Sequence, residues 1–217
     1  MTAVVVFDLD GTLVDSLADI AAAVNRMLDE DGQKALDVVT IRQFVGNGLP
    51  KLVERVIAHL SLDPARHEEL TQKTLAIYEG TASDSTTPYP GVIQALTQLR
   101  EMGCAMGVCT NKPEGPARKV LSDLNLNGYF DSVIGGDTLP MRKPDPRHLL
   151  ASFDALPSVG PRIFVGDSEV DAETAHRAEI PFLLFSEGYS KTPVADLPHA
   201  ALYGDSLLLP DLVRAIR

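Results

Sequence analysis

Residues 4–12 read VVVFDLDGT. Val4 to Phe7 make an apolar run of strand-type residues without helical spacing, which predicts a strand buried on both faces. Charge begins where that run stops. An extended chain alternates its side chains with a period of two, so Asp8 and Asp10 point the same way and share one small space. Two carboxylates so placed repel unless a cation or a proton joins them. The pair therefore reads as a metal site or an acid/base device, with a solvated Asp-Gly turn as the alternative.

Beyond this strand the pattern turns helical. Leu17, Ile20, Ala21, Val24, Met27 and Leu28 recur at steps of three and four behind Asp15 and Ser16 as candidate caps. A second stripe, Leu49 to Leu60, follows the loop GNGLP, and a third helix is predicted over 65–78. The stretch EGTASDSTTPYPG (79–91) then breaks all periodicity with small, polar and proline residues, as a connection between two bodies does. A helical module is expected over 15–87.

From Tyr89 the chain alternates. Helices over 91–102, 113–124, 146–156 and 171–178 lead into the strand-like runs AMGVCT, SVIGG, RIFVGD and PFLLF. Such alternation implies βαβ crossovers and a parallel sheet with helices on both faces. Since the first strand joins that sheet, the expected architecture is a doubly wound, Rossmann-like α/β core formed by 1–14 and 88–217. The helical module is inserted just after its first strand.

With 217 residues, 45% of them hydrophobic, the chain can bury one large core and a smaller appendage. A formal net charge of −11 argues against nucleic acid or an anionic membrane as partner, because both need a basic face. No apolar stretch is long enough to span a bilayer and no basic leader precedes the first strand, so a cytoplasmic location is expected. Cys104 and Cys109 fall on opposite faces of one extended segment, which excludes a disulfide or a shared metal. The five histidines show no ligand spacing and read as surface or helix-face residues.

Ligands of an open parallel sheet bind outside the carboxyl ends of its strands. Polar residues gather at those ends: Asp8, Asp10 and Thr12; Thr110 and Asn111; Asp167, with Asp171 one turn later. Lys143 stands in the loop MRKPDP before a helix that Asp145 caps and Pro146 starts. Several carboxylates cannot all be ionised in one pocket without a cation, and an oxygen-only donor set suits Mg²⁺. Lys143, the Thr110 hydroxyl, and backbone N–H groups at Gly11 and at the helix start after Asn111 are suited to a phosphate dianion.

These four segments, DxDGT, Thr110-Asn111, Lys143-Pro144 and GDSEVD (166–171), resemble in order the motifs of the haloacid dehalogenase-like hydrolase superfamily. The inserted module resembles its small helical cap. More narrowly, VGNGLPKLVERV (45–56), GDSEVDAETAHRAE and PFLLFSEGY are similar to segments of bacterial phosphoglycolate phosphatases.

The resemblance implies an Mg²⁺-dependent phosphatase acting on a small organic phosphate monoester, with 2-phosphoglycolate as the leading substrate. It makes Asp8 the nucleophile and Asp10 the residue that protonates the departing alkoxide. Asp8, the Asp10 carbonyl and Asp167 then hold the metal, with Thr12, Ser168 and Asp171 orienting that set. Gly11, Thr110, Asn111 and Lys143 meet the phosphoryl group. The inserted helices select the substrate, with Asn47, Gly48, Lys51 and Arg55 as candidates, while Glu169 and Lys112 read as solvated charges. Rival readings are action on a sugar phosphate, a nucleotide monophosphate or pyrophosphate, a phosphosugar mutase, and a receiver-like phosphorylatable switch. A monomer or homodimer is expected.

Overall fold

The computed structural model describes residues 2–81, 83–157 and 160–216. The chain opens with β1 (Val4–Phe7), passes through the short β2 (Val14–Asp15), and enters α1 (Leu17–Glu30), α2 (Val38–Arg42), α3 (Leu49–Leu60) and α4 (His67–Thr81). It returns through β3 (Thr87–Pro88). Then follow α5 (Val92–Glu101), β4 (Ala105–Cys109), α6 (Glu114–Asp123), β5 (Ser132–Ile134), α7 (Pro146–Asp154), β6 (Arg162–Gly166), α8 (Glu169–Ala178), β7 (Phe182–Phe185), β8 (Ala201–Tyr203) and α9 (Leu209–Ala215).

Six strands form one parallel sheet in the order β5-β4-β1-β6-β7-β8, so β1 is central and the winding direction reverses beside it. The valine run occupies that place because it offers an apolar side chain to both faces. Val5 and Phe7 pack with Val92, Leu96 and Leu99 of α5, Val120 of α6 and Val213 of α9. Val4 and Val6 pack on the other face, with Leu149 and Phe153 of α7 and Ala172 and Ala175 of α8. Each large side chain so buried contributes roughly 1.5–3 kcal/mol. The two cysteines divide in the same way, Cys109 on the second face and Cys104 against the first.

Helices α1 to α4 carry a separate apolar cluster, in which Val24, Met27 and Leu28 meet Ile41, Val53, Val56, Ile57 and Leu70. One residue from beyond β7, Tyr189, enters this cluster. The two crossings between the layers lie side by side as an antiparallel ribbon, Val14 opposite Pro88 and Asp15 opposite Thr87. Asp19, in the first turn of α1, accepts the N–H groups of Ser85 and Thr86 and the Thr86 hydroxyl, tying the outgoing crossing to the returning one.

Several elements differ from the sequence expectation. The third helix runs over His67–Thr81 behind a 3-10 turn at Pro64–Arg66. Ser16 occupies the N-cap position of α1, but its hydroxyl leaves the helix end and donates to Asp10 instead. The ribbon, α2, β8 and α9 were not expected; each is two to seven residues long, too short to show a period. His148 lies on a helix face as read, yet that face is the buried one, and its ring meets Cys109 Sγ and the Gly135 carbonyl. Among the described residues no helix is long and apolar enough to cross a membrane.

Candidate active site

Strand register brings the chemistry together. Phe7 lies opposite Val108 on one side and Val165 on the other, so Asp8 and Asp10 leave β1 at the level where Thr110 and Asn111 leave β4 and Asp167 leaves β6. Lys143 arrives from the loop before α7, whose N-terminus Asp145 caps through the Arg147 N–H. Asp171 arrives in the first turn of α8. There Ser168 and Asp171 form a reciprocal capping box, which fixes the carboxylate against the strand it follows.

Asp8, Asp167 and Asp171 offer carboxylate oxygens within 4.8 Å of one another, all buried. Lys143, 2% exposed, places its ammonium 2.7 Å from Asp171 Oδ1 and 2.9 Å from Asp8 Oδ1. Its directed hydrogen bond goes to Asp171, and Asp8 Oδ1 accepts none. Asp171 is fully engaged, because its other oxygen takes the Ser168 hydroxyl at 2.6 Å and the Ser168 N–H at 3.1 Å. Asp167 takes the Thr12 hydroxyl at 2.7 Å on one oxygen and the Tyr189 N–H at 2.6 Å on the other, leaving a lone pair on each.

Burial pushes the Asp8 carboxyl up to about 7, with the Lys143 ammonium pulling it down and the Asp171 charge pushing it up. Burial also raises Asp167 well above the usual carboxylate range, and the charges of Asp171 and Asp8 add to it. Desolvation works against the Lys143 ammonium, but Asp171 and Asp8 outweigh it and hold the group charged. One ammonium thus faces three carboxylates. The excess of carboxylates over the one ammonium, with the lone pairs left on Asp8 and Asp167, fits a hard divalent cation such as Mg²⁺.

Three of the groups expected to meet phosphate have other partners. The Gly11 N–H is spent on the Val14 carbonyl at 2.9 Å and is not available to a phosphate. Gly11 is needed for another reason: with φ at +91°, a Cβ there would lie 2.5 Å from Asp167 Oδ2. The Asn111 amide donates to the Lys143 carbonyl at 3.1 Å and to the Gly46 carbonyl at 3.3 Å, fastening two loops. At the start of α6, the Glu114 N–H is taken by Asp137. The Thr110 Oγ1 accepts the Lys112 N–H at 3.2 Å and retains its own proton to donate.

Lys112 is not a solvated charge. It is 7% exposed, its ammonium lies 2.8 Å from Asp10 Oδ1 and 2.5 Å from the Tyr78 hydroxyl, and it sits 4.4 Å from the centre of the Tyr78 ring. Burial opposes its charge, but Asp10 and Tyr78 more than compensate and keep it above the ordinary lysine range. The Ser16 hydroxyl holds the same Asp10 oxygen at 2.5 Å. The reasoning that selected Lys143 also reaches Lys112, which stands two residues past Thr110 at the same sheet edge. Tyr78, Ser16 and Tyr189 carry no such signal, because only the packing of the helical layer on the sheet delivers them. Glu169 is partly buried and lies 3.6 Å from Lys191.

Over Asp8 and Asp10, between sheet edge and helical layer, lies a cavity of about 70 Å³. Thr110, Asn111 and Lys112 line its floor, while Ile20, Val45, Leu49, Leu52 and Leu75 make the opposite wall. Gly48 lines it as well. Asn47 accepts from Arg55, which also donates to the Phe44 carbonyl, so this arginine braces its own loop. Lys51 is exposed, paired with Glu54 at 2.6 Å, and outside the cavity lining.

Comparison with known proteins gives a consistent picture. The family model described as haloacid dehalogenase-like hydrolase matches residues 5–185. A phosphoglycolate phosphatase of Cereibacter sphaeroides is 47% identical over 214 residues, covering 98% of each chain. One from Rhodobacter capsulatus is 42% identical over 221 residues, covering 98% of this chain and 97% of its own. Among solved structures, a protein described as a predicted phosphoglycolate phosphatase from Haemophilus somnus superposes with a TM-score of 0.89 at 26% identity, covering 97% of both chains.

Proposed function

The chain belongs to the haloacid dehalogenase-like hydrolase family, and from that premise we propose that it hydrolyses 2-phosphoglycolate to glycolate and phosphate through a phosphorylated Asp8. The observation that carries this reading is the pairing of a buried Asp8 carboxylate, held 2.9 Å from the Lys143 ammonium, with a second carboxylate, Asp10, in one small cavity. A nucleophile and a proton donor then face the same substrate.

Asp8 attacks phosphorus and the bond to the ester oxygen breaks, with Asp10 giving a proton to the departing alkoxide. Asp10 then takes a proton from water as that water attacks the phosphorus of phosphorylated Asp8, which releases phosphate and regenerates the carboxylate. Thr110 donates to a phosphoryl oxygen, and Lys143 balances the charge that builds there. Asp8, the Asp10 carbonyl and Asp167 would hold Mg²⁺. Bound there, the ion neutralises the carboxylates so that an anionic substrate can approach. Asp171, tied to Lys143 and Ser168, orients this set without binding the ion.

The helical layer is the cap that roofs the cavity. A receiver-like switch has no use for a cavity roofed by inserted helices, and the closed space favours a substrate with few atoms beyond its phosphate. The test is phosphate release from a panel of esters in Mg²⁺, including sugar phosphates, nucleotide monophosphates and pyrophosphate. A preference of about tenfold or more for 2-phosphoglycolate in kcat/KM is expected. A flat profile would remove the substrate assignment, and silence toward every ester would remove the phosphatase reading.

A further inference from the structure

Among the described residues, Lys112 is the one cation lining the cavity above Asp8 and Asp10, and the hydrolytic steps give it no task. A lysine buried to this extent is costly to keep unless an anion stays beside it. Asp10 is the carboxylate beside it, with its two oxygens at 2.8 and 3.1 Å. Tyr78 adds a second polar atom, and because its oxygen accepts from the ammonium, its own proton is directed toward another acceptor.

Substrate geometry gives this pair a role. With phosphorus at Asp8 and the leaving oxygen at Asp10, the rest of the leaving group extends toward the groups that touch Asp10, and Lys112 is the charged one. The cavity is small, about 70 Å³, so that remainder is only a few heavy atoms. Opposite stand Ile20, Leu49, Leu52 and Leu75, which cannot solvate a charge. In a short leaving group ending in a carboxylate, the carboxylate carbon lies two bonds from the ester oxygen, so the cation that meets it must stand close to Asp10. Neither cation expected on α3 supplies it, since both lie outside the cavity lining, Lys51 paired with Glu54 and Arg55 bracing Phe44 and Asn47.

We propose that Lys112, assisted by the Tyr78 hydroxyl, is the specificity residue that binds the carboxylate of a short phosphorylated hydroxy acid. The assignment rests on the phosphatase reading of the site. It places substrate selection on the sheet edge just past β4, with α4 contributing the tyrosine.

Binding separates this from a role confined to holding Asp10. The Mg²⁺-loaded protein is titrated calorimetrically with 3-phosphonopropanoate, which cannot be hydrolysed and keeps the carboxylate, and with propylphosphonate, which lacks it. Wild type is expected to favour the carboxylated probe by about tenfold or more, Lys112→Met to erase that preference, and Lys112→Arg to restore part of it. Tyr78→Phe, which keeps the ring, serves as the second variant should Lys112→Met not fold, with a loss of about threefold in the same preference. A preference that survives Lys112→Met, or its absence in wild type, overturns the proposal. In turnover, the 2-phosphoglycolate to ethyl phosphate ratio should fall about tenfold in Lys112→Met, whereas equal losses on both esters assign the lysine to Asp10 alone. Wild-type silence toward both esters strikes the phosphatase reading instead, and the titration still decides the role of Lys112.

Discussion

The backbone N–H of Ser16 donates to the phenol oxygen of Tyr189 at 2.8 Å, joining residues 173 positions apart. Both ends of this bond matter to the site: the Ser16 hydroxyl holds Asp10, and the Tyr189 N–H holds Asp167. The tyrosine thus braces both Asp10 and the acidic cluster from the far end of the chain. Tyr189→Phe leaves the buried Ser16 N–H without its acceptor, a cost of about 1–3 kcal/mol. A lower urea midpoint at unchanged m is expected. In turnover, kcat should fall while KM changes little, since Asp10 loses a fixed partner. An unmoved midpoint would mean that water replaces the phenol.

Lys143 and Asp171 are an ion pair with almost no exposure, 1% and 0% for the two side chains. Removing one partner of such a pair leaves a charge that water cannot reach. Asp171→Ala also deletes the capping box of α8. The two losses together should cost about 3–5 kcal/mol, measured by urea unfolding. Asp211→Ala, at an exposed pair on α9 with 64% and 78% side-chain exposure, should change stability by under about 0.5 kcal/mol. Equal effects at the two sites would contradict the burial argument.

The acidic cluster makes stability depend on pH, and the sign follows from its causes. Burial raises the Asp8 carboxyl to about 7 and raises Asp167 as well, whereas an unfolded aspartate titrates near 3.9. The folded state therefore binds protons more tightly. Without metal, this contribution is fully present below about pH 4 and is lost as pH rises to about 7, a loss on the order of 4 kcal/mol for Asp8. Mg²⁺ should offset the loss, so its increase in Tm is expected to be larger at about pH 8 than at about pH 5.5 and to vanish with EDTA. Asp8→Asn should show a flatter pH dependence without metal. A Tm increase from Mg²⁺ that is equal at both pH values would show that these carboxylates are ionised without it.

The sheet and the polar edge where these side chains gather are legible because both rest on short-range rules. A β-branched run between turn residues names a buried strand, and charges at strand ends name the rim, so Asp8, Asp10, Thr110, Lys143, Asp167 and Asp171 could all be found from spacing. What stayed hidden depends on tertiary contact. Nothing near Gly11 shows that its N–H turns back to Val14, and nothing near Asn111 shows that its amide ties two loops. Lys112 looked solvated because lysine usually is; its burial follows from where α4 places Tyr78, 34 residues away. The three-residue β8 and seven-residue α9 lacked the length to declare a period.

Asp10 offers the most direct chemical test, because its role depends on the leaving group. An alkoxide departs only as its oxygen gains a proton, whereas a nitrophenolate departs without one. Asp10→Asn removes the proton donor and leaves the main-chain carbonyl in place. Hydrolysis of alkyl phosphates should therefore fall by about 10²–10⁴, and formation of phosphorylated Asp8 from p-nitrophenyl phosphate far less. Loss of the base that activates water also slows the second step, so the phosphoenzyme should accumulate with the aryl ester and appear as a burst of nitrophenol. Asp8→Asn should give neither burst nor turnover, since an amide cannot take the phosphoryl group. Equal losses on alkyl and aryl esters in Asp10→Asn would reduce Asp10 to an anchor for Lys112 and Ser16, the contacts its side chain makes in the folded protein.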